Sequence, residues 1–360
     1  MAELLRGRPA LTVEWMASLG LNLLSTASLV TVVHEFEGLG TWLLEAYSAL
    51  PPRLRRDLEL VLGLTHYQQA VIETVVAETL DTGAEGHTSA DALFADIAAL
   101  DAETCRRMVA TILEKSIAHY DLKVDQDIST LLSDVEALEG VIQQLQPPVD
   151  VAEAAQLLRA PTEWRDLLLS GLQRFWERLY RSEWQETRDQ LQRSVEYHRR
   201  RGYTGDFATI FTAATGRQTP ERIRLRLDQI EHVRFVPSLY LGPYVTFLAD
   251  GPTATVHYNG QGPLVTESVS GTPIEDLYHP LTALADKTRL AIVAMLDGRE
   301  LYAQEIVDRL GISQSAVSRH LQLMVDMKVL NVRRGERGAK FYSINSESLQ
   351  RVARRLSEFH

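Results

Sequence analysis

Residues 305–345 constrain the fold more than any other stretch of this chain. Apolar side chains recur at helical spacing up to residue 310, and Gly311 then supplies the left-handed conformation that often ends a helix. Ser313 can cap a second helix by accepting a hydrogen bond from a backbone N–H. The second helix has apolar residues at spacings of three to four, namely Ala316, Val317, Leu321 and Met324. The stretch therefore predicts two helices joined by a tight turn.

The other side of the second helix is polar. It carries short or fork-shaped hydrogen-bonding side chains, namely Gln314, Ser315, Ser318, Arg319 and Gln322. Such groups read base edges in the DNA major groove, so the pattern predicts a helix-turn-helix motif. Residues 329–344 follow as two β-rich segments around a basic, glycine-containing tip at 333–338. This predicts a hairpin wing whose cations hold phosphate oxygens or enter a minor groove.

Charge is distributed unevenly along the chain. Between residues 311 and 345 six Lys or Arg stand against two acids, whereas the whole protein has a net charge of −11. A basic region against the overall sign is typical of a DNA-binding surface. Residues 274–360 hold 13 basic and 11 acidic residues, so the excess acid lies in the rest of the chain. We expect only the C-terminal part to contact DNA.

Residues 278–344 resemble the winged helix-turn-helix domain of ArsR/SmtB-type bacterial repressors. The segment 284–290 (LADKTRL) is similar to the opening helix of that family, and 313–321 (SQSAVSRHL) is close to its recognition-helix signature. The resemblance covers roughly a fifth of the chain. The family usually has glycine where Lys328 stands, so the end of the recognition helix is expected to differ in shape.

These features predict a set of DNA-contacting residues. On the recognition helix, two residues, His320 and Gln322, are expected to contact the DNA backbone. Four others are expected to contact bases, namely Gln314, Ser315, Ser318 and Arg319. The wing cations are expected to hold phosphates. The full predicted set is Ser313, Gln314, Ser315, Ser318, Arg319, His320, Gln322, Arg333, Arg334, Arg337, Lys340 and Tyr342.

The last helix carries an apolar stripe of Leu349, Val352, Leu356 and Phe359. This stripe predicts either a homodimer contact or packing against its own domain. A dimer would place two recognition helices about 34–36 Å apart and would imply a palindromic double-stranded operator.

The chain as a whole is expected to be mainly α. Residues 1–221 form a helical regulatory or dimerisation domain, with one short strand at 11–15. Residues 222–259 alternate in hydrophobicity between turns and predict a small antiparallel β element. A polar, glycine-rich linker at 260–273 precedes the C-terminal winged helix-turn-helix domain, 274–360. The aromatic-rich helical pattern at 162–200 predicts either a ligand pocket for an effector or the filled core of the domain.

The N-terminal region also resembles an uncharacterised domain that precedes ArsR-type winged helices in some larger bacterial regulators. The residues that carry this resemblance are Ala17-Ser18-Leu19, His34, Trp42-Leu43 and Leu50-Pro51-Pro52. It favours a regulatory or dimerising role for this region and names no ligand.

Several classes of protein and site are not expected. No apolar run is long enough to span a bilayer, and residues 1–15 lack the apolar core of a signal peptide, which predicts a cytoplasmic protein. Cys105 is the single cysteine, and Tyr302 and Gln304 stand where metal-sensing relatives carry Cys-x-Cys. We therefore expect no thiolate metal site and a packing role for Tyr302. No phosphate-binding loop or nucleophile elbow occurs, so we expect no cofactor and no enzyme activity.

Two other functions stay open from sequence alone. One is an N-terminal enzyme with an appended winged helix, which a deep pocket of perturbed acids or histidines would favour. The other is a scaffold whose winged helix binds protein, which acidic residues covering the 314–322 face would favour.

Overall fold

The computed structural model of the protein describes residues 11–36, 38–80, 84–219, 221–224, 229–260, 275–334 and 340–357. The chain is mainly helical, as the sequence predicts. The N-terminal helices are α1 Leu19–Thr31, α2 Trp42–Ala49, α3 Pro52–Gly63, α4 Gln68–Val75, α5 Ala90–Ala99, α6 Ala102–His119, α7 Ile128–Ser133, α8 Val135–Leu145, α9 Val151–Arg159, α10 Pro161–Phe175, α11 Arg181–Arg201, α12 Phe207–Thr215 and α13 Glu221–Arg224. The C-terminal helices are α14 Glu275–Leu284, α15 Lys287–Met295, α16 Ala303–Leu310, α17 Gln314–Asp326 and α18 Ser346–Leu356. The strands are β1 Thr12–Trp15, β2 His232–Ser238, β3 Thr246–Asp250, β4 Thr253–Asn259, β5 Leu301–Tyr302, β6 Leu330–Arg334 and β7 Lys340–Ile344.

Helices α1 to α10 enclose one large apolar core. Helix α1 lies near its middle, because almost every residue of this helix is buried. The aromatic-rich helices α10 and α11 are continuous through a π-helical turn at Trp176–Tyr180. Phe175 and Tyr180 are fully buried in or beside this turn. Trp164, near the start of α10, is also fully buried, and its indole N–H donates to the carbonyl of Val61 at 3.2 Å. These aromatic side chains are therefore part of the core.

A four-stranded sheet in the order β1-β2-β4-β3 covers a second, smaller core. The predicted short strand at 11–15 is confirmed, but it joins this sheet as a parallel partner of β2, with Val13 beside Val233. Strands β2 and β4 are also parallel, and only β3 and β4 form an antiparallel pair. The sheet is thus mixed, and the antiparallel prediction for 222–259 is confirmed for β3 and β4 and wrong for β2 and β4.

The physical reason lies in the connection after β2. After β2 the chain leaves the sheet through three buried residues, Leu239, Tyr240 and Leu241. It re-enters the sheet as the edge strand β3, and β4 then fills the place between β2 and β3. The start of the predicted β element at 222 is also wrong, because residues 222–224 lie in helix α13. Within the predicted linker, Gly260 donates its N–H to the carbonyl of Ser238 at 2.8 Å, and residues 261–273 lie outside the described residues.

The C-terminal part has its own core, formed by α14 to α18 and the sheet β5-β7-β6. Arg289 in α15 is buried and donates to the carbonyls of Ala283 at 2.6 Å and Thr282 at 3.1 Å. These carbonyls belong to the last turn of α14, where backbone acceptors have no partner within the helix. Arg289 therefore joins the first two helices of the domain.

None of the helices in the described ranges has the length and apolar character needed to cross a membrane.

Candidate nucleic-acid interface

The turn between α16 and α17 has the geometry that its sequence predicts. Gly311 has φ of +66° and its N–H donates to the carbonyl of Val307 at 2.9 Å, which ends α16. The hydroxyl of Ser313 accepts the N–H of Ala316 at 3.2 Å and so caps α17. The predicted first helix begins earlier than expected, at Ala303.

Helix α17 separates an apolar side from a polar side. Val317, Leu321 and Met324 have no solvent-exposed surface and anchor the helix in the domain core. Gln314 and Ser318 are exposed on the other side, where hydrogen-bonding groups can reach a base edge. The side chain of Ser315 lies outside the described residues.

His320 takes a different position from the one predicted. Its ring is half-buried on the side of α17 that faces the start of α15, where Asp286 and Arg289 lie. Burial lowers the pKa of His320, and the nearby charge of Asp286 opposes that shift. This side chain supports the packing of the recognition helix and is not on its exposed face.

The end of α17 has a left-handed residue at Lys328. Lys328 has φ of +59°, its N–H donates to the carbonyl of Val325 at 2.9 Å, and the N–H of Val329 donates to Met324 at 2.8 Å. This is the bonding pattern of a left-handed helix end. Lys328 thus takes the left-handed conformation that glycine adopts without steric cost. A residue with a Cβ, such as Lys328, is destabilised by about 1 kcal/mol in this left-handed conformation.

The wing is an antiparallel pair of strands, β6 and β7. The residues between them, 335–339, lie outside the described residues, and so does the predicted DNA contact Arg337. Arg333 is exposed, pairs with Glu300 at 2.5 Å and lies over the ring of Phe341 at 4.8 Å. The hydrogen bond from Arg333 holds the pKa of Glu300 below its usual range. Lys340 is exposed at the start of β7. The side chain of Arg334 also lies outside the described residues.

Tyr342 is a correction to the predicted set. It is only 9% exposed and belongs to the core of the C-terminal domain, where burial raises the pKa of its hydroxyl. Lys340 and Tyr342 lie on the same face of β7, because side chains two residues apart in a strand point the same way. Alternation therefore does not distinguish exposed Lys340 from buried Tyr342.

Arg319 is turned towards the N-terminal domain, whereas Gln322 is exposed and bonds within its own helix. Arg319 donates to the backbone carbonyl of Glu35, and Gln322 donates to Asp326 at 2.7 Å. Asp326 in turn forms a buried ion pair with Arg217. Sequence reasoning missed Asp326. An acid in the last turn of a helix is disfavoured by the helix dipole, and this signal indicates a cationic partner without identifying it.

The apolar stripe of α18 is divided between two environments. Val352 is buried and Leu349 is half-buried against the core of their own domain. Leu356 is exposed, and Phe359 lies outside the described residues. Packing within the domain therefore accounts for Val352 and Leu349, and Leu356 is available for another contact.

Across the described ranges, no group of three or more His, Cys, Asp or Glu side chains is placed to hold a metal ion. Tyr302 is exposed and its ring lies 6.2 Å from that of Phe341, between centroids, so it covers one edge of the wing.

Comparison with known proteins locates one domain. A family model described as a helix-turn-helix domain matches residues 284–333. No curated protein matches the chain. Among solved structures, HlyU from Vibrio cholerae N16961 is 30% identical over 23% of this chain and 91% of its own, with a TM-score of 0.20. NolR from Sinorhizobium fredii is 28% identical over 28% of this chain and 93% of its own, with a TM-score of 0.22. The family match supports a DNA-binding transcription regulator.

Proposed function

We propose that this protein is a cytoplasmic, sequence-specific transcription regulator of the ArsR type that represses its target and has no enzyme activity. The helix-turn-helix match at 284–333 supports DNA binding. The resemblance of residues 278–344 to ArsR/SmtB-type repressors supports the finer type and the repressor role. The N-terminal domain would then sense an effector or set the geometry of a dimer.

One observation carries this proposal: α17 is anchored on one side and polar on the other. Its apolar side is fully buried, whereas Gln314 and Ser318 are exposed at positions four residues apart. Residues at this spacing share one helix face and can reach neighbouring base pairs. Exposed Arg333 and Lys340 on the wing add cations for phosphate oxygens.

We also propose a homodimer formed through α14 and α18. The two helices contact each other, and both leave apolar side chains exposed, namely Tyr278, Leu281 and Leu356. Burying these against a second copy would remove apolar surface from water. A two-fold dimer of winged helices would bind a palindromic operator. Sedimentation of the protein and of Leu356→Glu would test this, since the charge should favour the monomer.

The DNA-binding proposal is tested by fluorescence anisotropy with the protein's own upstream DNA, against unrelated competitor DNA and over a range of salt concentrations. Gln314→Ala should lose about 1–3 kcal/mol of specific binding, with little change on competitor. The matched control is Gln350→Ala, which removes an exposed glutamine from α18. Lys340→Ala should weaken binding to both DNAs and flatten the salt dependence.

The proposal fails if the protein binds its upstream DNA no better than competitor at every salt concentration. It also fails if Gln314→Ala and Gln350→Ala change the affinity equally. In either case the winged helix would be a candidate for protein binding, the scaffold function that the sequence leaves open.

A further inference from the structure

The recognition helix α17 is packed against the N-terminal domain through Arg319. Its guanidinium carbon lies 4.9 Å from the ring centroid of Phe36, and the group donates to the carbonyl of Glu35 at 3.3 Å. Phe36 is held in turn by an edge-on contact with Tyr244, 5.3 Å between centroids. A guanidinium over an aromatic face is an attractive contact. The side chain expected to contact bases is therefore already occupied.

A second contact is the ion pair between Arg217 and Asp326. Both side chains are almost completely buried, and Arg217 also donates to the carbonyl of Pro243 at 3.1 Å. Gln322 donates to the other carboxylate oxygen of Asp326. Breaking one partner of a buried pair leaves an uncompensated charge. This pair therefore fixes the position of α17 against the N-terminal domain.

A third contact joins Gly216 to helix α14. Gly216 has φ of +69°, and a Cβ at this position would lie 1.7 Å from Nε2 of His279. The backbone after α12 thus approaches the C-terminal domain at a distance that only glycine permits. These contacts define a docking surface on the N-terminal domain, which consists of Glu35, Phe36, Gly216, Arg217, Pro243 and Tyr244.

Helix α17 cannot contact the docking surface and lie in a DNA major groove at the same time. A major groove is about 12 Å wide, and a helix with its side chains is about 10–12 Å across, so a helix in the groove is enclosed on both flanks. Arg319 and Asp326 lie on one flank of α17 and contact the N-terminal domain. We propose that the structure is an autoinhibited state, in which the N-terminal domain binds the recognition helix and must release it before DNA can enter.

This proposal rests on the proposed DNA-binding function and adds its regulation. If only the released state binds DNA, the measured dissociation constant is the intrinsic value divided by the released fraction. Weakening the docking surface should therefore tighten DNA binding. Phe36→Ala removes the ring under Arg319 and should tighten binding about two- to thirtyfold. Arg217→Ala leaves Asp326 buried without its cation and should tighten binding on the order of a hundredfold.

Each variant has a matched control within the N-terminal domain. Tyr197→Ala removes an aromatic ring from beneath Arg201, at 4.8 Å, on helix α11, which carries none of the docking-surface residues. Arg174→Ala breaks the partly buried ion pair with Asp57, at 2.7 Å. Both controls should leave DNA affinity within about twofold, because neither residue lies on the docking surface.

A measurement without DNA separates this proposal from the proposed function. Hydrogen–deuterium exchange of the full chain without DNA should rise at 31–36 and 314–326 in Phe36→Ala and Arg217→Ala relative to wild-type protein. Tighter binding by both variants together with this exchange supports autoinhibition. Faster exchange with unchanged affinity overturns it and leaves the DNA-binding function standing. No binding by the wild type or any variant overturns the proposed function, and autoinhibition with it.

Discussion

Arg289→Ala should strongly destabilise the C-terminal domain. The side chain is 2% exposed, and its guanidinium donates to two carbonyls in the last turn of α14. A hydrogen bond from a charged donor contributes about 1.5–3 kcal/mol, so the loss of two should cost roughly 3–6 kcal/mol. That is comparable with the whole stability of a small domain, about 5–15 kcal/mol. The variant should therefore unfold its C-terminal domain at much lower urea concentration.

The distribution of tryptophan makes this measurable in the full chain. All five tryptophans lie between residues 15 and 184, so their fluorescence reports only the N-terminal domain. Far-UV circular dichroism reports helices in both domains. In Arg289→Ala the dichroism should begin to fall before the fluorescence changes. Wild-type protein should show a smaller separation between the two transitions.

The control is another arginine that bonds to a helix end. Arg299 donates to the carbonyl of Met295 at 2.7 Å, in the last turn of α15, but it is exposed. Arg299→Ala should cost no more than about 1 kcal/mol, because water can replace this bond. Equal effects of Arg289→Ala and Arg299→Ala would refute the reasoning, since burial would then not determine the cost.

Two further predictions concern pH and backbone conformation. Burial lowers the pKa of His198 and His257 to about 3, so between that value and about 6.5 the unfolded chain binds more protons than the folded one. Stability in urea should therefore fall as pH decreases through this window, by up to about 1.4 kcal/mol per pH unit for each ring. His198→Phe should reduce the slope and exposed His232→Gln should not. Lys328→Gly should stabilise the C-terminal domain by about 1 kcal/mol, because glycine takes φ of +59° without steric cost. Lys340→Gly, at a β position, should show no such gain in the same urea titration.

The helix-turn-helix could be predicted from sequence because short-range hydrogen bonds determine it. Gly311 and Ser313 form their key bonds within four residues, and the apolar spacing of α17 alone determines which side is buried. The burial of Tyr342 could not be predicted, because the burial of a strand residue depends on what covers the sheet. The predicted DNA contacts Gln314 and Ser318 remain exposed, whereas Arg319 does not face solvent freely.

The pairings between distant segments could not be predicted. Strand β1 pairs with a strand about 220 residues away, and alternation in hydrophobicity identifies a strand without giving its direction or partner. The same limit applies to docking, because Arg217 and Asp326 are separated by 109 positions. The charge segregation between the two parts of the chain predicts attraction between them but does not identify the residues that meet.

The chemistry of this contact is suited to a reversible interaction. A buried ion pair gains little net free energy, because desolvation of both charges offsets most of their attraction. It nevertheless imposes strict geometry, since Arg217 and Asp326 must meet or both must return to water. The docked state is therefore specific, and a released fraction of about one per cent corresponds to only about 3 kcal/mol in its favour. DNA offers Arg319 base edges in place of the Phe36 ring and the Glu35 carbonyl, and it offers the wing cations phosphate oxygens. Each phosphate contact also releases counterions. A few such contacts would suffice to displace the N-terminal domain, whereas a docking surface made only of apolar side chains would gain free energy with its whole area and resist release.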